Sequence, residues 1–554
     1  MMTYKRARRS VFALIACGLL IAISLTCCSS RTDWKPKSVS VFDPSYYNKG
    51  RGKILDDDGK VLAETVIVER VNSKGQQINK NKYFRVYNVG PEYANVLGSI
   101  VPLKKRVFDK ETGKWSYFPY TMGPEGGELA FSRWILLGDD PTSNTGGTVQ
   151  LTINSSVQTA AYNALIGFRN KWHDKQNTKK DKNDKMDYCR KGAAVVMDCE
   201  TGAVIAYADI PSVDYKDFAS IKYVDQYIDF KNEDNENVLI KDGMLYDYCN
   251  ALNTPGSTFK LLSCILLEKQ GVVTANTKVQ DRGVFEYNIS DNGKYSRKIY
   301  DHDAKSVDNG KKKIPVDKGI VSVKTGITDS LNVVFAELAK SADRNQFRKD
   351  AREDFFFDVG YRVEEDDPSY SENPRIRTDF GGINRPKLNV DNNQLYFDTS
   401  YGMGEVMISP IVTTMITASI INESGDLIRP YMVQSYINAA GKEVSYEKAS
   451  YGLRQGEVLT KNAVSQEARE IIISAMKNHS SAKKKGGIGV KTGTAKLDNK
   501  SNISMTGFVE DRNGKPRYAV TVCMFEMRKS SIGGGSLEEA FFAITDELRK
   551  LPGM

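Results

Sequence analysis

The chain has 554 residues, a formal net charge of +9, 40% hydrophobic and 27% charged residues. That length allows about three or four average domains, and that composition excludes a disordered chain and a polytopic membrane protein. The basic residues at 169–191 alternate with Asp174, Asp181, Asp184 and Asp187, which reads as a solvated loop and excludes a nucleic-acid stripe. Residues 1–10 carry Lys5, Arg6, Arg8 and Arg9 and no acid, and residues 11–28, VFALIACGLLIAISLTCC, carry no charge. A helix of that length rises about 27 Å, enough to cross a hydrocarbon core. The expectation is a cytoplasmic tail at 1–10 and a single transmembrane anchor at 11–28, with everything beyond Cys28 extracytoplasmic. Cleavage near Cys27-Cys28-Ser29-Ser30 and lipid modification of a cysteine are the alternatives.

After a polar tether at 29–40, the run RGKILDDDGKVLAET places Ile54-Leu55 and Val61-Leu62 on either side of Asp58-Gly59, a hairpin signal. Residues 29–150 are assigned to a small α+β pedestal, like a dimerisation domain, and 151–554 to a larger domain. The larger domain opens with a helix over about 155–170 and then a charged loop. A strand pair is expected at 192–211 around the turn Glu200-Thr201-Gly202. Apolar spacing predicts helices over 257–268, 330–341, 411–422 and 463–477. The runs KGGIGVKTGTA and PRYAVTVCMF read as strands, and a helix near 536–551 closes the chain. Strands and helices in this order predict an α+β fold, a sheet with helices packed on it. The five cysteines outside the anchor, at 189, 199, 249, 264 and 523, have no metal-ligand spacing and read as small buried hydrophobes.

Three short motifs carry chemistry, and each occurs more than once. Ser-x-x-Lys appears at Ser257/Lys260, Ser445/Lys448, Ser474/Lys477, Ser480/Lys483 and Ser481/Lys484. Ser257 alone follows a chain-breaking Pro255-Gly256 and opens a strongly apolar helix. There its hydroxyl sits at the positive end of the helix dipole, with the Lys260 amine one turn on, on the same face. Burial beside another cation would turn that amine into a base. Ser-x-Asn occurs at Ser290-Asp291-Asn292, Ser330-Leu331-Asn332 and Ser371-Glu372-Asn373. The first sits on the Asn292-Gly293 turn and the third in irregular loop, whereas Ser330 and Asn332 open a helix that would hold them rigidly. Lys-Thr-Gly occurs at Lys324-Thr325-Gly326 and Lys491-Thr492-Gly493. The second, with Thr494, lies in a glycine-rich run suited to an edge strand that an extended substrate can join. The first runs within six residues into a helix start and reads as a chance match.

In the order Ser257-x-x-Lys260, Ser330-x-Asn332, Lys491-Thr492-Gly493, the chain resembles the penicillin-binding proteins, peptidoglycan D,D-transpeptidases. RGKILDDDGKVLAE is similar to the hairpin that opens the class B, monofunctional branch, with Asp57-Asp58 where that branch usually has Arg-Asn. The stretches GAAVVMDCETGAVIAYADIPSVD and TSYGMGEVMISPIVTTMITASIINESGDLIRPYMV also resemble the family. Met505-Thr506 and Leu537-Glu538-Glu539 depart from its usual aromatic and small apolar residues. The resemblance implies the penicillin-binding fold, an antiparallel sheet with helices on both sides. It implies Ser257 as nucleophile, Lys260 as base, Ser330 as proton relay and Asn332 as a positioning group. It further implies Lys491, Thr492, Gly493 and Thr494 as the binding strand, with the N–H groups of Ser257 and Thr494 as oxyanion hole. No cofactor or metal is implied; the partners would be peptidoglycan stem peptides, β-lactams and a polytopic glycan polymerase. The three histidines, His173, His302 and His479, stand in unrelated contexts and disfavour a metal hydrolase or a Ser-His-Asp triad. Two rivals are a hydrolase that uses water where a transpeptidase uses an amine, and a non-catalytic cell-wall scaffold or sensor.

Overall fold

The computed structural model describes residues 39–41, 50–68, 82–109, 114–122, 126–139, 146–177, 191–215, 228–231, 237–241, 244–289, 295–307, 312–359, 375–497, 500–527 and 532–554. The expected anchor at 11–28 lies outside these residues, as do Ser290-Asp291-Asn292 and Ser371-Glu372-Asn373. Among the described residues no helix is long and apolar enough to cross a membrane. The chain separates into two compact units. One comprises the described residues up to Leu151 together with those of 212–246 and 433–449, and the other comprises 152–211, 247–432 and 450–554.

The first unit is built on a seven-stranded sheet. Its order is Val39–Val41, Lys82–Tyr87, Val61–Val68, Ile54–Leu55, Thr148–Leu151, Val433–Ile437, Glu443–Val444. The expected hairpin forms: Ile54 pairs with Ala63, and Gly59 takes φ +84° at the turn. Asp56 stabilises that turn by accepting from the N–H groups of Asp58 and Lys60. Under the sheet, Glu128 is fully buried between Arg51 and Arg85. Arg51 Nε donates to Glu128 Oε2 at 2.8 Å, and Tyr87 Oη reaches Oε1 at 3.3 Å. Two further guanidinium donors reach backbone carbonyls, Arg85 Nη1 to Gly52 at 2.6 Å and Arg51 Nη2 to Glu128 at 2.6 Å, while Arg85 Nη2 is buried without a hydrogen-bond partner.

The second unit contains α1 (Ser155–Asn177), β1 (Lys191–Asp198), β2 (Val204–Ile210), α2 (Lys260–Lys269), α3 (Asn332–Lys340), α4 (Pro410–Ile421), β3 (Ile488–Leu497), β4 (Lys500–Glu510), β5 (Pro516–Met527) and α5 (Glu538–Leu548). The five strands make one antiparallel sheet in the order β3-β4-β5-β1-β2. Helices α1 and α5 cover one face: Val157, Leu165, Phe541 and Ile544 pack against Val196, Ala208, Val490 and Val520. Helix α4 covers the other face. It is buried on nearly every side, which is why PIVTTMITASII shows no polar stripe. The expected α+β fold is therefore present, with helices on both sides of an antiparallel sheet.

One expectation is corrected. Helix α1 does not stop near 170 but continues to Asn177, so residues 171–177 are helix rather than charged loop. Trp172 packs against the core cluster one turn after buried Phe168, and Lys171 pairs with Glu539 of α5, so tertiary contacts extend the helix into a polar sequence. Cys199, Cys249, Cys264 and Cys523 are buried thiols, as expected, while Cys189 lies outside the described residues.

Candidate active site

Ser257 lies in a single 3-10 turn, Gly256–Phe259, that feeds directly into α2. Two glycines make this turn possible. Gly256 adopts φ +60°, and a Cβ there would sit 2.7 Å from the Thr494 backbone. Gly402 adopts φ +89° and accepts from Gly256 N at 2.9 Å; a Cβ on it would overlap the Gly256 carbonyl oxygen. The serine backbone is thus clamped between β3 on one side and the Tyr401-Gly402-Met403-Gly404 turn on the other.

Lys260, the first residue of α2, is fully buried. Its Nζ donates to Ser257 Oγ at 2.9 Å, to Asn332 Oδ1 at 2.7 Å and to the Ser330 carbonyl at 2.9 Å, with Ser330 Oγ at 3.3 Å. The face of Phe335 lies 5.9 Å from the same nitrogen. Asn332 is held at both ends, because its Nδ2 donates to the Tyr300 carbonyl at 2.9 Å. That second contact orients the amide so that its oxygen faces Lys260.

Ser330 is reached by a sharp reversal. The short helix Val323–Thr328 ends, Leu331 N donates back to Gly326 O at 2.9 Å, and Ser330 takes φ +57°. A left-handed serine costs of order 1 kcal/mol or more and persists only when its surroundings hold it. The Lys324-Thr325-Gly326 triplet lies on this helix, not on a strand, and Gly326 packs so closely that a Cβ would be 2.7 Å from Val334 Cγ1. Ser474 and Lys477 lie in the helix Gln466–Asn478.

Lys491 stands on β3, at the edge of the five-stranded sheet. It is almost wholly buried, and its Nζ donates to Ser330 Oγ at 2.9 Å and to the Thr492 carbonyl at 2.9 Å. Ser330 Oγ therefore bridges two lysine amines. Gly493 allows β3 to pass the nucleophile turn, since a Cβ there would be 2.7 Å from the Pro255 carbonyl oxygen. All eight residues singled out in the sequence, Ser257, Lys260, Ser330, Asn332, Lys491, Thr492, Gly493 and Thr494, come together here.

Burial is the main force on both lysines. It pushes Lys260 well below the ordinary lysine range, and the neighbouring Lys491 charge pushes it further, against an opposing pull from Asp301. Burial brings Lys491 down to about 7, with Asp329 opposing. An amine that burial holds well below the lysine range, at Lys260, and one near 7, at Lys491, are joined through the Ser330 hydroxyl, with Lys260 touching Ser257, so a proton can pass along this chain in either direction.

Ser257 opens into a cleft of about 1060 Å³ lined also by Ser330, Asn332, Thr492, Thr494 and Gly533–Gly535. Several of its residues escape sequence reasoning. Gly534 N donates to Thr494 Oγ1 at 3.0 Å, and its Cα lies so near Gly493 and Ser504 that no side chain fits. The run Gly533-Gly534-Gly535 before the last helix was a visible signal for this close approach. Tyr300, Asp301, His302 and His479 line the same cleft but carry no local signal, being distant in sequence from the motifs. His479 Nδ1 accepts from Ser481 N at 3.2 Å, and burial lowers the imidazole below its usual value.

The fold and this constellation define a serine acyl-transfer enzyme of the penicillin-recognising kind. Residues 192–546 match the penicillin binding protein transpeptidase domain, and the chain belongs to that family. Among solved structures it is similar to penicillin-binding protein A from Mycobacterium tuberculosis, as its ceftriaxone acyl-enzyme complex, at 20% identity, 91% of this chain, 99% of that chain and a TM-score of 0.63. It is likewise similar to the D,D-transpeptidase domain of a peptidoglycan glycosyltransferase from Eggerthella lenta, at 20% identity, 91% and 100% coverage and a TM-score of 0.59. A third is PBP2 of Pseudomonas aeruginosa, at 18% identity, 91% and 97% coverage and a TM-score of 0.61. At these identities the likeness is one of fold.

Proposed function

We propose that this protein is a class B peptidoglycan D,D-transpeptidase that cross-links stem peptides through an acyl-Ser257 intermediate and is blocked covalently by β-lactams. The observation that carries the reading is the buried Lys260 amine in simultaneous contact with Ser257 Oγ, Asn332 Oδ1 and Ser330. Neutral Lys260 takes the Ser257 proton as Oγ attacks the carbonyl of the penultimate D-alanine. The N–H groups of Ser257 and Thr494, brought together at the Gly256 turn, receive the oxyanion. The C–N bond to the terminal D-alanine breaks, and Ser330 hands its amine a proton drawn from Lys260 or Lys491. An amine of a second stem peptide then attacks the ester and restores Ser257. Thr492 and Thr494 line the cleft and hold the substrate carboxylate, with the Lys491 charge behind them. In the same reading the basic residues 1–10 stay in the cytoplasm, 11–28 anchor the chain, and a polytopic glycan polymerase supplies the strands to be joined.

The test is acylation by a fluorescent penicillin. The wild-type chain is expected to be labelled, and Ser257→Ala to lose the label while remaining folded. Labelling retained by Ser257→Ala would remove the serine from the role given to it. Lys324→Ala is expected to acylate within about twofold of wild type, as befits a surface change away from the site. A large loss there would show that the wrong Lys-Thr-Gly had been chosen. Product analysis with a stem-peptide donor and an amine acceptor separates transfer from hydrolysis.

A further inference from the structure

The cleft beside Ser257 carries more positive charge than one terminal carboxylate needs. Along β3 the side chains alternate: Lys491, Gly493 and Ala495 are buried, while Thr492, Thr494 and Lys496 line the cleft. Lys496 is therefore the third member of the row that begins with the two threonines, about 7 Å beyond Thr494 along the strand. Lys313, on the strand Lys312–Ile314, lines the same cleft. Its Nζ lies 5.2 Å from the centre of the Tyr300 ring, and Tyr300 in turn holds the Asn332 amide through its carbonyl. A cation–π contact thus ties Lys313 to the residue that orients Asn332.

Both lysines are exposed, and among the described residues neither side chain has an ion pair or a hydrogen bond. The other exposed cations of the cleft are engaged. Arg297 pairs with Asp398 at 3.1 Å, Lys298 with Glu286 at 3.3 Å, and Lys318 with Asp303. The acids that line the cleft are engaged as well: Asp303 is held by Lys318, Asp301 accepts from Val333 N, and Asp329 pulls on Lys491. Lys496 and Lys313 are left to meet charge that comes from outside the chain.

We propose that Lys496 and Lys313 form a second anion subsite, which takes a carboxylate on the amino side of the scissile bond. The inference rests on the transpeptidase reading. In that reading an extended peptide joins β3 as a further strand, with its terminal carboxylate at Thr492 and Thr494. Following β3 on to Lys496 leads away from that terminus, toward the residues that precede the D-alanine pair. A carboxylate side chain there meets Lys496 from the strand and Lys313 from the Tyr300 wall. In a penicillin the acylamino side chain lies on the same, amino side of the bond that Ser257 opens, so a carboxylate on it addresses the same two lysines. An exposed ion pair is weak by itself and is screened by salt. Selectivity here comes from two point charges acting on one group. Lys260, Ser330 and Asn332 perform the reaction, while Lys496 and Lys313 sort substrates by charge.

The test compares benzylpenicillin with carbenicillin, which differ by one carboxylate on the side chain. Second-order acylation rates of the full chain are measured by competition with a fluorescent penicillin. The proteins are wild type, Lys496→Ala, Lys313→Ala and the double variant. The carbenicillin-to-benzylpenicillin rate ratio is expected to fall about threefold in each single variant and about tenfold in the double variant. Lys496→Arg keeps the charge and is expected to retain the ratio. Lys496→Glu sets a like charge against the carboxylate and is expected to lower the ratio below that of Lys496→Ala. In the wild type the ratio is expected to drop as salt is raised to about 0.5 M, and in the double variant to change less. A merely structural lysine would slow both penicillins by one factor and leave the ratio alone. An unchanged ratio in the double variant, with benzylpenicillin still acylating, overturns the subsite and leaves the transpeptidase reading standing. No acylation of the wild type by either penicillin overturns both.

Discussion

Lys260→Ala is expected to slow acylation by a β-lactam by about 10²–10⁴-fold, the usual worth of a positioned general base. The nitrogen it removes is the common partner of Ser257 Oγ, Asn332 Oδ1 and Ser330. Without it the Ser257 hydroxyl loses its Lys260 contact, and among the described residues Lys491 Nζ contacts Ser330 and not Ser257. The sign of the pH dependence follows. Acylation requires the neutral amine, and burial with the Lys491 charge brings Lys260 far below 10.5. The wild-type rate should therefore be lost only as pH falls through this lowered value, well below the ordinary lysine range. Lys260→Arg keeps a cation but cannot supply a base, and should be as impaired as alanine. Second-order acylation rates across pH check this, with a thermal melt to confirm folding. Retention of more than a tenth of the rate in either variant would exclude the role assigned to Lys260.

Glu128→Ala is expected to cost about 3–5 kcal/mol, because it leaves buried guanidinium groups without their counter-charge. Arg51 and Arg85 are 5% and 0% exposed, and both reach the Glu128 carboxylate. Glu128→Gln keeps the shape and one acceptor, so its loss should be smaller yet still well beyond that of a surface change. The carboxyl is held below its usual 4.5 although burial alone would raise it, since Arg85 and Arg51 together outweigh desolvation. A group so depressed contributes stability above its unfolded pKa and loses it as pH falls through the folded value. The gap between wild type and Glu128→Gln should thus be full at pH 6–7 and shrink on acidification below about 4.5. Thermal unfolding of the first unit read at both ends of that range tests it, and equal stability of Glu128→Ala and wild type at neutral pH would show that the cluster is dispensable. The same experiment has a consequence for function. Because Glu128 lies in the unit that lacks Ser257, any acylation defect should track the fraction folded.

The local features of the site were open to a reading of the sequence. Ser257 and Lys260 are one helical turn apart, so their shared face follows from helix geometry once Pro255-Gly256 sets the helix start. The strands of the five-stranded sheet announce themselves as long apolar runs because both faces of the sheet are covered, and α4 as an unbroken apolar helix. Choosing among the repeated triplets also worked from neighbours alone: the helix after Asn332 and the glycines before Lys491 describe rigid, approachable backbone. Periodicity and turn chemistry depend on contacts a few residues apart, which a sequence displays directly.

What the tertiary structure alone decided depends on which distant segments meet. That Lys491 aims its Nζ at Ser330, that Tyr300 orients the Asn332 amide, and that Gly402 and Gly534 press against the nucleophile turn and the binding strand are matters of sheet register and packing between remote elements. Helix α1 outran its polar sequence because Trp172 finds the core and Lys171 finds Glu539. Strand Val433–Ile437 joins Thr148–Leu151 across nearly three hundred residues, a pairing that neither strand's composition encodes. The pKa values that make the site chemical arise the same way. A lysine is a base at neutral pH only when the folded chain has taken water away from it and set a second cation beside it, and neither condition is written within four residues of Lys260.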